Sequence, residues 1–97
     1  MAKGGFTYIM ANKRRGMIYV GVTVDIAARS WQHATASGSA YCRRWGIDRL
    51  VWCAAFDDIR DAIAHEKRIK RWHRAWKDAL IEADNPEWDD LRLRLNG

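Results

Sequence analysis

Arg29 and His33 stand four residues apart in the stretch DIAARSWQH, residues 25–33, where a helix would set a guanidinium and an imidazole on one face. Such a pair can grip and protonate an oxyanion, or it can be ordinary surface decoration. Glu66 raises a sharper question, because it falls inside an apolar helical stripe formed by Ile59, Ala62, Ile63 and Ile69. A carboxylate in that position needs a cation, a hydrogen-bond network or a proton. A salt bridge to Arg29 or Lys70 would satisfy it; so would a hard metal such as Mg²⁺, which is commonly held by one carboxylate, waters and a substrate phosphate. Tyr8 and Tyr19 lie in short runs rich in β-formers, where tyrosines normally pack half-buried with the hydroxyl reaching water.

The elements that must position these groups follow from patterning. Residues 5–11 (GFTYIMA) and 17–22 (MIYVGV) predict two strands, and NKRRG between them predicts a hairpin turn. With a loop over residues 12–15, Tyr8 would sit opposite Tyr19, and both side chains would leave one face of the sheet. Asp25 can cap a helix from Ile26 to about Thr35. Its Ala27, Ala28 and Trp31 side suits packing, and its Ile26, Arg29, Ser30 and His33 side carries the arginine–histidine pair. ASGSAYCRRWG is expected to be loop. RLVWCAAF, residues 49–56, predicts a strand buried on both sides. Asp57 or Asp58 would cap a helix starting near Ile59, and a further helix is expected over residues 75–83, stopped at Asp84, Asn85 and Pro86. EWDDLRLRL is expected to form a short turn or helix. Trp31, Trp52 and Trp88 are assigned to packing. The order β-β-α-β-α-α predicts an α+β fold, a small three-stranded and mostly antiparallel sheet flanked by helices.

The 97 residues are 48% hydrophobic and 30% charged, the composition of one globular domain spanning residues 1–97. MAKGGFTYIM lacks the apolar run of a signal peptide and no later segment suits a membrane span, so a cytoplasmic protein with no membrane partner is expected. Cys42 and Cys53 form no CxxC pair and are expected to be reduced, and the histidines show no zinc-binding spacing. A net charge of +5 favours an anionic partner, nucleic acid above all. The cations cluster at Lys13, Arg14 and Arg15, at Arg43 and Arg44, and at Lys67, Arg68, Lys70, Arg71, Arg74 and Lys77. Tyr41, Trp45, Trp72 and Trp76 interleave with the last two clusters. The arrangement suits either a solvated charged face or a surface that tracks phosphates.

Taken together, FTYIM, GMIYVGVTVDIAARSWQH and AHEKRIKRW resemble the GIY-YIG nuclease superfamily, in particular its small stand-alone bacterial members, from about Phe6 to Leu91. Tyr8 stands at the first tyrosine motif, and Tyr19-Val20-Gly21 stands where the family has Tyr-Ile-Gly. Arg29 matches the helix arginine, His33 the residue one turn on, and Glu66 the metal-binding glutamate. Asn85 could match an asparagine that some members place late in the site, although an Asn-Pro helix stop explains it as well. The first motif reads Phe6-Thr7-Tyr8 rather than Gly-Ile-Tyr, and Val20 replaces isoleucine; both changes spare the tyrosines.

The resemblance implies a metal-dependent endonuclease that hydrolyses phosphodiester bonds, with DNA favoured over RNA. It implies Glu66 as the ligand of one divalent metal, Mg²⁺ or Mn²⁺, and Arg29 as the group that neutralises transition-state charge. Tyr19, or Tyr8 almost equally well, would take the proton of the attacking water, and His33 could position water or assist the leaving group. Lys13, Arg14, Arg15, Arg43, Arg44, Lys70 and Arg74 would then grip the nucleic-acid backbone. The alternative is a module of the same fold that binds nucleic acid without cutting it; a third reading is a protein-interaction domain that docks through exposed tryptophans.

Overall fold

Alternating β-formers pair into a hairpin of β1 (Gly5–Ala11) and β2 (Ile18–Thr23) in the computed structural model, which describes residues 3–34 and 40–92, with only the backbone described at 33 and 34. The hairpin register differs from the expectation by two residues. Tyr8 faces Gly21, and Met10 faces Tyr19. The cause is Asn12, which prolongs the ladder instead of opening the loop. Its N–H donates to the Met17 carbonyl at 3.1 Å, and its Oδ1 accepts from the Met17 N–H at 2.8 Å. The turn is therefore residues 13–16, closed by a 3.0 Å bond from the Gly16 N–H to the Lys13 carbonyl. A two-residue slip preserves side-chain parity, so Tyr8 and Tyr19 still leave the same face, now as a diagonal pair.

The third strand, β3 (Arg49–Phe56), pairs antiparallel with β1 and completes a sheet ordered β2-β1-β3. Ile9 faces Trp52 and Met10 faces Leu50, so Val51 bulges out of the ladder. The bulge sends Val51 and Trp52 into the same core. That core also holds Ile9, Ala11, Val20, Ile69, Ile81 and Trp88. The opposite face packs Tyr8, Met10 and Leu50 against Ile26, Cys42 and Ile47.

Two helices cover this second face. Helix α1 (Ile26–Ala34) begins where Asp25 Oδ1 accepts from the Ala28 N–H at 3.1 Å. It buries Ile26 and Ser30, not the Ala27, Ala28 and Trp31 side expected to pack, and Trp31 is 51% exposed. Ile26 is the large apolar group nearest the sheet, and its i+4 neighbour Ser30 follows it inward. Trp31 instead lies under the Arg92 guanidinium, 5.1 Å from its ring centre. The segment expected to be loop contains a short helix, α2 (Ala40–Trp45). Gly46 ends it at φ 64°, a left-handed position that suits glycine, and the Ile47 N–H returns to the Cys42 carbonyl at 2.9 Å. The expected end of α1 at Thr35, residues 36–39 of the expected loop and the tail beyond Arg92 lie outside the described residues.

On the first face lie α3 (Ile59–Arg71) and α4 (Arg74–Asp84). Asp58, rather than Asp57, caps α3 by accepting from the Arg60 N–H at 2.9 Å. After α4 the chain straps the sheet. Trp88 is fully buried, and its indole N–H donates to Glu82 at 2.7 Å. The Leu91 N–H reaches the Leu50 carbonyl at 2.7 Å. No helix among the described residues is long and apolar enough to cross a membrane.

Asn85 ties α4 to the sheet. Only 3% exposed, it donates from Nδ2 to the carbonyls of Val51 (3.0 Å) and Asp89 (2.9 Å) and accepts at Oδ1 from the Asp89 N–H (3.0 Å). Asn85→Ala strips partners from the buried Val51 carbonyl and from the part-buried Asp89 carbonyl and N–H, so urea denaturation should show a loss of about 1–3 kcal/mol.

Candidate active site

Tyr8 is carried on the central strand, is 2% exposed, and crosses β2 where Gly21 has no side chain. A Cβ at Gly21 would lie 2.5 Å from both the Tyr8 Cζ and its hydroxyl oxygen. Glycine is thus the residue that lets the phenol lie across the edge strand. Gly21→Ala should force the ring aside at a cost of about 1–3 kcal/mol, read as a lowered urea midpoint with an unchanged slope. Tyr19 lies beside it, the two ring centres 6.3 Å apart and the planes inclined at 40°.

Arg29 from α1 and Glu66 from α3 both act electrostatically on the Tyr8 phenol. Burial pushes its proton affinity well above that of an ordinary phenol, and Tyr19 adds to the rise. Arg29 pulls the other way, while Cys42 and Glu66 contribute smaller increases. The phenol therefore stays protonated and acts as a hydrogen-bond donor at neutral pH. The two helices lie against opposite faces of the sheet, yet a charge from each acts on the proton affinity of the same phenol.

Thr7 helps to hold that alignment. Its buried hydroxyl donates to the Ala62 carbonyl at 2.7 Å, one helical turn before Glu66. The strand that carries Tyr8 is thereby pinned to the helix that carries Glu66. The Glu66 side chain is 14% exposed, and the Lys70 ammonium lies 3.6 Å from its Oε2. The salt-bridge partner anticipated from spacing is present, on the solvent side and beyond hydrogen-bond distance.

His33 lies on the backbone of α1 one turn beyond Arg29, but its side chain is outside the described residues. Asn85 is not among the groups acting on Tyr8; its amide is spent in the joint between β3 and α4. Several of the expected phosphate contacts are engaged within the fold. Arg15 forms a two-point bridge to Glu82 (2.8 and 2.9 Å), Arg14 reaches Glu87 at 3.4 Å, and Arg74 holds Asp78 at 2.7 Å and the Gly16 carbonyl. These pairs latch the hairpin turn to α4 and the following segment, and a phosphate would have to compete with their carboxylates. Lys13 is exposed at the hairpin turn. Arg43 and Arg44 sit in the last turn of α2, with Arg44 5.2 Å from the Trp45 ring centre.

The donor set limits which metal fits. Among the described residues no group of three or more His, Cys, Asp and Glu side chains converges, which is unlike a zinc centre. A single partly buried carboxylate fits Mg²⁺ or Mn²⁺ completed by water and phosphate oxygens. Sequence reasoning assigned no role to Gly21 or Thr7. A glycine inside a strand is the signal for a close approach at the first; nothing local marks the second.

A family model described as the GIY-YIG catalytic domain matches residues 4–79. The chain is similar to the UPF0213 protein BH0048 of Halalkalibacterium halodurans, 34% identical over 76 residues that cover 78% of this chain and 80% of the relative. It is also similar to a UPF0213 protein of Lacticaseibacillus paracasei, 33% identical over 73 residues, 75% of this chain and 82% of the relative. The solution NMR structure of UPF0213 protein BH0048 from Bacillus halodurans superposes with a TM-score of 0.56 at 29% identity, covering 90% of this chain and 92% of that one.

Proposed function

We propose, on the premise that this chain belongs to the GIY-YIG family, that it is a metal-dependent endonuclease hydrolysing phosphodiester bonds in nucleic acid, with DNA as the favoured substrate. The observation that supports the reading is the packing of the Tyr19 ring 6.3 Å from that of Tyr8, with Arg29 and Glu66 near enough to act on the charge of the Tyr8 phenol. Each of the four groups then has one task.

Glu66 would hold Mg²⁺ or Mn²⁺, which would supply Lewis-acid stabilisation of the charge that develops at the phosphate. Arg29 presents a rigid fork of donors to the charge that grows on the phosphoryl oxygens as water attacks, which is where such a fork stabilises most. Tyr8 retains its proton and so donates a hydrogen bond, to the attacking water or to a phosphate oxygen. Tyr19, acting as the phenolate, accepts the proton from the water and becomes the neutral phenol. The anionic backbone is drawn in by the net charge of +5.

The Lys70 ammonium beside Glu66 favours the alternative, a module that binds without cutting, because it supplies a cation where the metal is needed. That i, i+4 contact is 3.6 Å long with a half-exposed lysine and contributes weakly, so a divalent ion would displace it. The test is incubation of the full chain with supercoiled DNA and labelled oligonucleotides in Mg²⁺ or Mn²⁺. Cleavage that EDTA abolishes is expected. Binding with no cleavage under any of these conditions establishes the non-cutting module instead.

A further inference from the structure

Lys67, Arg68 and Arg71 share the outer surface of α3 and, with Ala64 and Trp72, line an open groove of ≈ 420 Å³. Trp72 is also a wall of a second groove, ≈ 360 Å³, completed by Trp76, Ala79 and Leu80 of α4. No acidic residue lines either groove. Six of the fold's other cations, Arg14, Arg15, Arg60, Lys70, Arg74 and Arg92, each meet a carboxylate. Among the described residues Lys67, Arg68 and Arg71 meet none. On α4 the acids nearest in sequence, Asp78 and Glu82, are occupied by Arg74 and Arg15.

The aromatic groups here are braced. Trp76 is 59% exposed, yet its ring is fixed edge-on between Trp72 (6.2 Å, 75°) and His73 (5.7 Å, 89°). Trp72 in turn abuts His65, which rests on Phe56. An indole braced by its neighbours and more than half exposed costs little to order when a flat partner stacks on it.

Helical geometry links this face to the candidate active site. At about 100° per residue, Lys70, Lys67, Arg71 and Arg68 follow one another around α3 from the direction of Glu66 to that of Trp72. The arc is about 20–25 Å long at side-chain radius, a span of several nucleotides.

We propose that the α3–α4 face is a second nucleic-acid contact outside the cleft, in which Lys67, Arg68 and Arg71 hold successive phosphates and Trp76 stacks on an unpaired base. Charge complementarity selects a polyanion, and the exposed indole selects a partner with an accessible π-face. Bases inside a duplex have both faces covered, so the occupant is a single-stranded or frayed stretch. The proposal rests on the nucleic-acid half of the function above and not on cleavage.

The test is fluorescence anisotropy of the full chain in EDTA with a labelled single-stranded 20-mer and with its blunt duplex. Trp76→Leu should weaken single-strand binding about 5- to 100-fold, Trp76→Phe should restore most of it, and duplex binding should stay within about twofold. Replacing Lys67, Arg68 and Arg71 together with Gln should flatten the slope of log K against log salt by about two. Equal single-strand affinity for Trp76→Leu and wild type, or an unchanged salt slope in the triple variant, overturns the proposal. So does sedimentation showing that Trp76→Leu splits a dimer, which would make a second copy the occupant. Binding in EDTA involves no cutting. A chain that binds as described but never cleaves refutes the endonuclease alone, and a chain that cleaves but ignores Trp76→Leu refutes this contact alone.

Discussion

Glu66→Gln should lower metal-dependent cleavage about 10³-fold while changing nucleic-acid affinity by less than about twofold. The substitution keeps the shape of a side chain that is 14% exposed and removes only its charge. A neutral amide oxygen is a poor ligand for a hard divalent ion, so the metal loses its one protein anchor. Losing the 3.6 Å contact with Lys70 costs little, because it lies beyond hydrogen-bond distance and the lysine is half open to solvent. Single-turnover rates and binding in EDTA separate the two quantities. Lys70→Gln is the matched control: if Glu66 served only as the lysine's partner, the two variants would behave alike. The metal reading expects Lys70→Gln to keep cleavage within about tenfold of wild type.

Tyr19→Phe should cost about as much, on the order of 10²–10³-fold in the cleavage step, because it removes the proton acceptor. Tyr8→Phe should cost less and act differently. The Tyr8 phenol is held protonated by burial and by Tyr19, so its loss removes a donor rather than a base. Single-turnover rates rank the pair: Tyr19→Phe should fall further than Tyr8→Phe. Tyr8 also leaves a mark on stability. Its proton affinity is raised in the folded chain, so above about pH 10 the unfolded chain binds fewer protons than the folded one. Stability is therefore complete below that value and falls as pH climbs past it. Tyr8→Phe should flatten that alkaline decline in urea unfolding.

Much of this architecture could be read from residues, for identifiable reasons. β3 and α3 emerge close to their predicted limits because a continuous apolar run and an aspartate cap are strong local signals. The face shared by Tyr8 and Tyr19 was legible through parity alone, even though Asn12 moved the register by two. The short α2 was not, although Gly46 behind Arg43 and Arg44 is a helix-stop pattern; six residues give too little periodicity to weigh against a Ser/Gly/Ala-rich lead-in. The packing side of α1 was misjudged because alanines and a tryptophan look apolar wherever they sit, and only the sheet decides that Ile26 and Ser30 turn inward. Among the site residues, the charges on Arg29 and Glu66 were conspicuous, whereas the reason for Gly21 was a contact with Tyr8 thirteen positions away in sequence. The latches of Arg14 to Glu87, Arg15 to Glu82 and Arg74 to the Gly16 carbonyl join distant segments, and a run of basic residues carries no sign of its partners.

The central claim is that the hairpin phenols, the α1 guanidinium and the α3 carboxylate serve one phosphodiester. Anomalous diffraction from a crystal of the full chain grown with Mn²⁺ and a short phosphorothioate strand tests it most directly. The account predicts one Mn²⁺ peak bonded to a Glu66 oxygen and to the bound phosphate, with Arg29 and Tyr19 reaching the same phosphoryl group. A metal seated elsewhere, or a strand whose phosphates pass Lys70 while Glu66 stays bound to that lysine, would contradict it.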